Sequence, residues 1–343
     1  MNKRLKFLDR YLTLWIFIAM VVGIAIGYLF PSTSDALSGM SSGSTNIPLA
    51  AGLLLMMFPP LAKVDYTLLP GIIRNKRLLW TSLLLNWIIG PILMTALAML
   101  FLPDEPGYRT GLILIGLARC IAMVIVWNDL AGGNRETAAL LVAINSVFQL
   151  FTYSAMAWLF LYWIPLNVGL DGIMVDIPFS AIAESVLVYL GIPFLAGWIA
   201  RNALTRYKGL VWYNHTFIPF ISPVTLIALL GTIVLMFILK ANQIVDLPGD
   251  VARVALPLLI YFIVMFFGSF LINKSAGLSY ENNAAVAFTA TGNNFELAIA
   301  VCIAVFGLHS DQAFAGVIGP LVEVPALILL VQAAFWLKKR LYS

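Results

Sequence analysis

Two side chains with chemical reactivity, the thiol of Cys120 and the carboxyl group of Glu296, lie in the middle of long apolar segments of the sequence. Each follows a glycine by four residues, and a shift of 176 positions superimposes residues 116–120 (GLARC) on residues 292–296 (GNNFE). A thiol is a ligand for soft centres, whereas a carboxyl group binds hard centres and protons. The repeat therefore predicts that the two groups meet at one site that binds a small molecule.

The composition excludes a soluble globular protein. The chain has 343 residues, of which 62% are hydrophobic and 10% charged, and its mean hydropathy is +0.96. Soluble domains carry roughly 25% charged residues and about 45–50% apolar ones, so this chain requires a lipid bilayer as its solvent. Its net charge of +4 is spread over short loops, which indicates membrane topology and not a nucleic-acid-binding face. The two cysteines form neither a disulfide framework nor a zinc cluster, and no cofactor or metal site is predicted.

Ten apolar segments are predicted to cross the bilayer, each about 20 residues long. They are residues 12–30, 47–62, 78–102, 108–130, 137–164, 183–203, 215–239, 251–273, 283–308 and 313–337. Of the Lys and Arg residues, 16 lie on one predicted side, only Arg109, Lys240 and Arg253 lie on the other, and Arg119 lies within a segment. Because positively charged loops stay in the cytoplasm, both termini are predicted to be cytoplasmic, in a multi-pass protein of the plasma (cell inner) membrane.

The order of the segments predicts one all-α polytopic transporter domain, residues 1–343, built as an inverted repeat. Ten transmembrane helices divide into five and five, and an odd number in each half gives the halves opposite orientations in the bilayer. The first repeat is assigned to residues 1–165 and the second to residues 183–343, and the 176-residue shift pairs the fourth segment with the ninth. Such repeats bind substrate near the membrane midplane, on helices that are interrupted there. The polar stretches 32–46 and 167–176 are predicted to be external connectors.

Both paired segments contain residues that interrupt a helix. The ninth segment contains the polar run TATGNN, in which Gly292, Asn293 and Asn294 favour turns because they tolerate left-handed backbone conformations. A milder interruption is predicted in the fourth segment, where Gly116 is followed three residues later by the charged residue Arg119. Backbone released from a helix costs several kcal/mol in lipid, so both breaks must face the protein interior.

Cys120 and Glu296 are the predicted substrate-binding residues. A cysteine in a membrane segment is usually inert, but the repeat pairs Cys120 with a carboxyl group, and neighbouring Arg119 and the helix ends favour a reactive thiolate. Cys302 is flanked by apolar residues and is predicted to be structural. A carboxyl group at mid-membrane costs roughly 3 kcal/mol on insertion scales and is by default functional. Glu296 is therefore predicted to bind and release a proton during transport.

Other polar residues within the segments are weaker candidates. Glu323 is a second buried acid and a candidate for the proton path. Arg119 is predicted either to form an ion pair with Glu296 or to contact an anionic substrate. The remaining amide side chains within the segments are expected to join helices: Asn86, Asn145 and Gln149.

The pairing of one thiol with one carboxyl group favours a thiophilic metalloid as the substrate. Soft thiolates select soft centres, and a single thiol lets the substrate leave again, whereas several thiols would hold it too tightly. Trivalent arsenic fits, because its hydroxide is small, largely neutral at pH 7 and exchanges oxygen for sulfur. Proton exchange at Glu296 would then couple inward proton flow to the outward release of the substrate.

Four segments carry a resemblance to a known family: residues 8–16 (LDRYLTLWI), 118–127 (ARCIAMVIVW), 292–300 (GNNFELAIA) and 319–325 (GPLVEVP). They resemble the arsenical-resistance arsenite permeases of the bile-acid, arsenite and riboflavin transporter superfamily, and the resemblance covers nearly the whole chain. It implies a bile-acid-symporter-like fold with a panel domain and a core domain, in which discontinuous fourth and ninth helices cross. It also implies arsenite efflux by proton antiport, with the family's cysteine and glutamate at Cys120 and Glu296.

Two other functions remain open on the sequence. A sodium-coupled symporter of organic anions, as in the bile-acid branch, would hold sodium at the same crossing, but Arg119 would repel a second cation there. An intramembrane enzyme with Cys120 as nucleophile needs a nearby base, and both histidines, His215 and His309, lie near segment ends. The chain is therefore predicted not to be an enzyme. Its predicted partners are protons, the lipid bilayer and arsenite, with antimonite as a further candidate.

Overall fold

The computed structural model describes residues 12–42, 45–68, 75–168 and 178–342, which are almost entirely helical. Its helices are, in chain order, α1 (Leu12–Leu29), α2 (Pro31–Gly39), α3 (Ile47–Lys63), α4 (Lys76–Phe101), α5 (Pro106–Leu117), α6 (Met123–Leu130), α7 (Arg135–Asn167), α8 (Phe179–Lys208), α9 (Leu210–Asp246), α10 (Pro248–Ser275), α11 (Tyr280–Thr291), α12 (Phe295–Phe306) and α13 (Asp311–Leu341). A small antiparallel hairpin of strands β1 (Ser41–Ser42) and β2 (Thr45–Asn46) precedes α3. The predicted helical class is confirmed.

Helices lie where the membrane segments are predicted. Within the described ranges, six are long and apolar enough to cross a bilayer: α4, α7, α8, α9, α10 and α13. Helix α1 with α2 forms a seventh candidate, bent by 98° between its two parts. The shorter helix α3 lies at the second predicted segment, and the pairs α5–α6 and α11–α12 lie at the fourth and ninth.

The connector predicted at residues 32–46 is more ordered than expected, since it contains α2 and the β1–β2 hairpin. The buried side chain of Asn46 holds it in place. Its Nδ2 donates to Leu37 O (2.6 Å), and its Oδ1 accepts from Leu49 N (3.2 Å) as the N-cap of α3. The predicted connector 167–176 lies outside the described residues beyond Val168, as does the basic N-terminal stretch 1–10.

Four long helices each contain one widened, π-type turn, and each turn is followed two residues later by a proline. The turns and their prolines are Leu85–Ile89 with Pro91, Leu159–Trp163 with Pro165, Leu187–Gly191 with Pro193, and Tyr213–Phe217 with Pro219. Proline has no backbone N–H, and its ring crowds the carbonyl group four residues earlier. The helix accommodates this by widening instead of breaking, so these prolines shape the helices without ending them.

The helices pack as two groups. In the first group, α9 packs along α1 and α3, and α8 packs on α3. Gly23 and Gly27 make the α1–α9 contact close, because a Cβ added at either would collide with α9 backbone atoms. The second group contains α4, α5, α10 and α13 around the half-helices α11 and α12, with α7 packed against α11.

The interrupted helices lie in the interior of the second group. In α5, every residue from Tyr108 to Leu117 is buried, and α11 is buried from Asn283 to Thr291. The backbone released at both breaks is therefore shielded from lipid, as its unpaired polar groups require.

Candidate functional site at the crossing of two interrupted helices

Each interrupted helix has a short extended segment between its halves. Helix α5 ends at Leu117 and α6 begins at Met123, while α11 ends at Thr291 and α12 begins at Phe295. The residues that follow α5 and α11, Ala118 and Gly292, have extended backbone dihedrals (φ −85°, ψ 116° and φ −74°, ψ 144°). The break in the ninth segment therefore lies where the glycine and asparagine pattern predicts it, and the break in the fourth segment begins two residues beyond the predicted Gly116.

The two extended segments pair with each other through the backbone. Arg119 and Asn293 form an antiparallel bridge, in which Cys120 N donates to Gly292 O (3.2 Å) and Asn294 N donates to Ala118 O (3.0 Å). A helix break leaves unpaired N–H and C=O groups that have no water to bind in the bilayer interior. Here each break supplies partners for the other, so the Cys120 and Glu296 segments are held side by side.

Side chains from neighbouring helices satisfy the remaining backbone groups. Arg119 N donates to Gln149 Oε1 (3.1 Å), and Asn293 N donates to Glu323 Oε1 (3.2 Å). Asn293 also donates from Nδ2 to Ile115 O (2.8 Å), in the last turn of α5. Gln149 thus joins α7 to the crossing, and Glu323 of α13 binds the backbone of the second break.

The side chain of Arg119 caps the carboxyl end of α11. It is completely buried, and its Nη1 donates to Tyr261 Oη (2.8 Å) and to Ala290 O (3.2 Å). A Cβ added at Gly90 would lie 2.7 Å from Nη1, so the absence of a side chain there makes room for the guanidinium. No carboxylate among the described residues forms an ion pair with it. The expected Arg119–Glu296 ion pair is therefore not formed.

Cys120 lies between the second break and the start of α6. Its side chain is buried, and a Cβ added at Gly292 would lie 3.2 Å from Cys120 Cβ and 3.4 Å from Glu323 Oε1. The thiol residue and the second acid therefore flank the same glycine. Helix α6 begins three residues later at Met123, and the unpaired N–H groups at the start of a helix favour a negatively charged ligand atom.

Glu296 lies in the first turn of α12, two residues after the N-cap Asn294, whose Oδ1 accepts from Leu297 N (3.1 Å). Glu296 lines a cavity of about 30 Å³ between the two helix groups, and Glu323 lines the same cavity. This volume holds about one water-sized molecule. The other lining residues are Ile16, Met56, Met123, Leu229, Thr232, Ile233, Met236, Phe295, Ile299, Pro320 and Val324.

Two further residues of interest lie away from the paired segments. Gly116 remains within α5, where a Cβ would collide with the side chain of Met94, so it permits close packing of α5 against α4. Cys302 is fully buried in the middle of α12 and does not line the cavity.

Sequence reasoning missed Tyr261 and Gly90 as partners of Arg119 and assigned Gln149 only a general role. The signals were weak. Tyr261 is a single tyrosine within an apolar stretch of the sequence. Nothing in the sequence around Gly90 shows that the side chain of Arg119 packs against it.

We expect Asn294→Ala to destabilise the protein and to impair transport, because it removes the N-cap of α12 at the crossing. Loss of an N-cap costs about 0.5–2 kcal/mol, and Asn294→Ser should restore most of it. The matched control is Asn75→Ala, which removes the N-cap of α4, where Asn75 Oδ1 accepts from Leu78 N (3.2 Å). Thermal unfolding in detergent should show lower midpoints for both alanine variants. Equal transport by both would show that the cap at the crossing has no special role.

Comparison with known proteins agrees with this architecture. Residues 50–247 match the sodium bile acid symporter family. The chain is 52% identical to the arsenical-resistance protein Acr3 of Corynebacterium glutamicum, over 99% of this chain and 92% of that protein. It is 31% identical to Acr3 of Alkaliphilus metalliredigens (96% and 93% covered) and 33% identical to a transporter of Synechocystis (97% and 90%). The chain is thus a multi-pass membrane transporter and not an enzyme, and it belongs to the sodium bile acid symporter family, in the branch that contains the arsenical-resistance proteins.

Proposed function

We propose that the protein exports arsenite from the cell in exchange for protons, and that the substrate binds where the two interrupted helices cross. The observation that carries this proposal is the backbone bridge between residues 118–120 and 292–294, which brings the segments of Cys120 and Glu296 together. The relatives named arsenical-resistance proteins support a trivalent arsenic substrate. Antimonite, with the same valence and softness, is a second substrate of this kind.

The chemistry of the site suits a small metalloid hydroxide. Arsenous acid carries three hydroxyl groups, and the Cys120 thiol replaces one of them, forming an As–S bond and releasing one water molecule. Release reverses this step, since water re-forms the As–OH bond and returns the proton to sulfur. A single soft ligand makes the exchange selective and reversible. Glu296 and Glu323 provide oxygen atoms for the remaining hydroxyl groups.

The fold supports transport by alternating access in a ten-helix inverted repeat, with repeats at residues 1–165 and 183–343. In this arrangement the first helix group is the panel domain and the second is the core domain, and the cavity between them opens to one side at a time. From the surplus of Lys and Arg on one predicted side we infer that both termini are cytoplasmic and that the membrane is the plasma membrane.

The proposed coupling to protons is supported by two acidic residues, Glu296 and Glu323, that line one small cavity. Two negative charges on Glu296 and Glu323 would repel each other strongly in a site with little water. A proton held there is released when the substrate arrives and is taken up again from the outside when it leaves. Glu296 is the residue that exchanges this proton, and Glu323 forms part of its path.

Arg119 argues against the alternative of a sodium-coupled symporter. Carriers with interrupted helices hold coupling cations at the carboxyl ends of half-helices, where carbonyl groups are unpaired. Here the guanidinium of Arg119 already occupies that position at α11, bound to Ala290 O. A positive charge fixed at this point would repel sodium.

We expect Cys120→Ser to reduce arsenite export to background, because a hydroxyl group does not form the bond to arsenic that the thiol forms. Cys302→Ser is the matched control, since it makes the same change in the fully buried cysteine of α12. Uptake of radiolabelled arsenite by everted membrane vesicles measures both. Normal uptake by the Cys120 variant, or loss of uptake only in the Cys302 variant, would contradict the choice of sulfur.

Glu296→Gln should abolish proton-driven arsenite accumulation, because the amide keeps the shape of the side chain but cannot exchange a proton. In everted vesicles, an acidic interior should drive uptake by the wild-type protein, and a sodium gradient of equal size should not. The glutamine variant should fall to the level of empty vesicles under either gradient. Uptake that follows sodium would instead favour the symporter alternative.

A further inference from the structure

One wall of the cavity carries a buried hydroxyl group without a partner. Thr232 of α9 is 1% exposed and lines the cavity opposite Glu296 and Glu323, from the other helix group. Its Oγ1 has no hydrogen-bond partner among the described residues. A buried hydroxyl group that forms no hydrogen bond is costly, so its retention here requires an explanation.

Four buried hydroxyl groups in the described helices have no partner, those of Thr95, Thr225, Thr232 and Ser269, and of these residues Thr232 is the one that lines the cavity. Within the same helix, Ser222 Oγ donates to Ile218 O (2.6 Å), one turn earlier. Thr291 donates in the same way to Ala287 O (2.7 Å). Serine and threonine in helices usually satisfy their hydroxyl groups by such bonds to the preceding turn. The hydroxyl of Thr232 forms none and remains available to another partner.

A glycine on the adjacent helix makes room for this hydroxyl group. Oγ1 of Thr232 lies over Gly52 of α3, where an added Cβ would collide with it. The other residues that line the cavity from the first helix group are apolar: Ile16, Met56, Leu229, Ile233 and Met236. Thr232 is therefore the one polar residue among those that line the cavity from the first helix group.

We propose that Thr232 is a substrate-binding residue of the first helix group and that its hydroxyl forms a hydrogen bond with a hydroxyl group of the bound metalloid acid. This inference rests on the proposed function and adds a contact from the opposite wall. The substrate then touches both helix groups, with its remaining hydroxyl groups towards Glu296 and Glu323. Because the bond joins the two groups across the cavity, it favours the state in which they are closed around the substrate.

The test compares Thr232→Val, which keeps the shape of the side chain but removes its hydroxyl group, with Thr232→Ser, which retains it. Thr225→Val is a matched control, since Thr225 lies on the same helix two turns earlier, has an unpartnered hydroxyl group and does not line the cavity. In everted vesicles, the KM for arsenite should rise roughly three- to tenfold in Thr232→Val, the range expected for one neutral hydrogen bond. It should stay near the wild-type value in Thr232→Ser and Thr225→Val.

Two results would overturn the inference while leaving the proposed function intact: an unchanged KM in Thr232→Val, or an equal rise in Thr225→Val. A second measurement is the shift in thermal unfolding midpoint that arsenite causes in the purified protein, which should be smaller in Thr232→Val than in the wild type.

If the wild type exports no arsenite, the proposed function fails. A wild-type protein that also shows no arsenite-dependent shift overturns both proposals. If Thr232→Val does not insert into the membrane, Thr232→Ala removes the same hydroxyl group.

Discussion

A helix that is interrupted inside a membrane exposes N–H and C=O groups that neither lipid nor water can satisfy, and this constraint organises the whole protein. The solution here is reciprocal. Residues 118–120 and 292–294 pair as a short antiparallel bridge, with Cys120 N bound to Gly292 O and Asn294 N bound to Ala118 O. Neither break would be stable alone at this depth. The same pairing positions Cys120, which is part of the bridge, and Glu296, which follows the second break.

The charged groups around the bridge match the ends of the half-helices. The guanidinium of Arg119 lies at the carboxyl end of α11, where the helix dipole is negative. Glu296 lies in the first turn of α12, where the dipole is positive, and Glu323 accepts a hydrogen bond from Asn293 N. The guanidinium of Arg119 thus supplies the positive charge that a coupling cation would bring to such a site.

The sequence predicted those features that depend on local composition. Glycine and asparagine located the break in the ninth segment, and apolar runs located the helices. In the fourth segment the break begins at Ala118, two residues beyond the predicted Gly116, which stays helical. Features that depend on which helices meet could not be predicted. Of the two roles predicted for Arg119, the ion pair with Glu296 is not formed, because its side chain reaches Tyr261 and Ala290, where Gly90 leaves space. Thr232 also went unnoticed, since nothing near it in the sequence shows that it would line a cavity and that its hydroxyl group would lack a partner.

The coordination of the substrate by Cys120 is tested most directly by X-ray absorption at the arsenic edge of the purified, arsenite-loaded protein. A sulfur neighbour of arsenic is expected in the wild type and in Cys302→Ser, with oxygen atoms filling the remaining positions. In Cys120→Ser, the sulfur neighbour should be absent. Arsenic bound only to oxygen in the wild-type protein, or a sulfur neighbour that persists in Cys120→Ser, would contradict a substrate site at the crossing of the two interrupted helices.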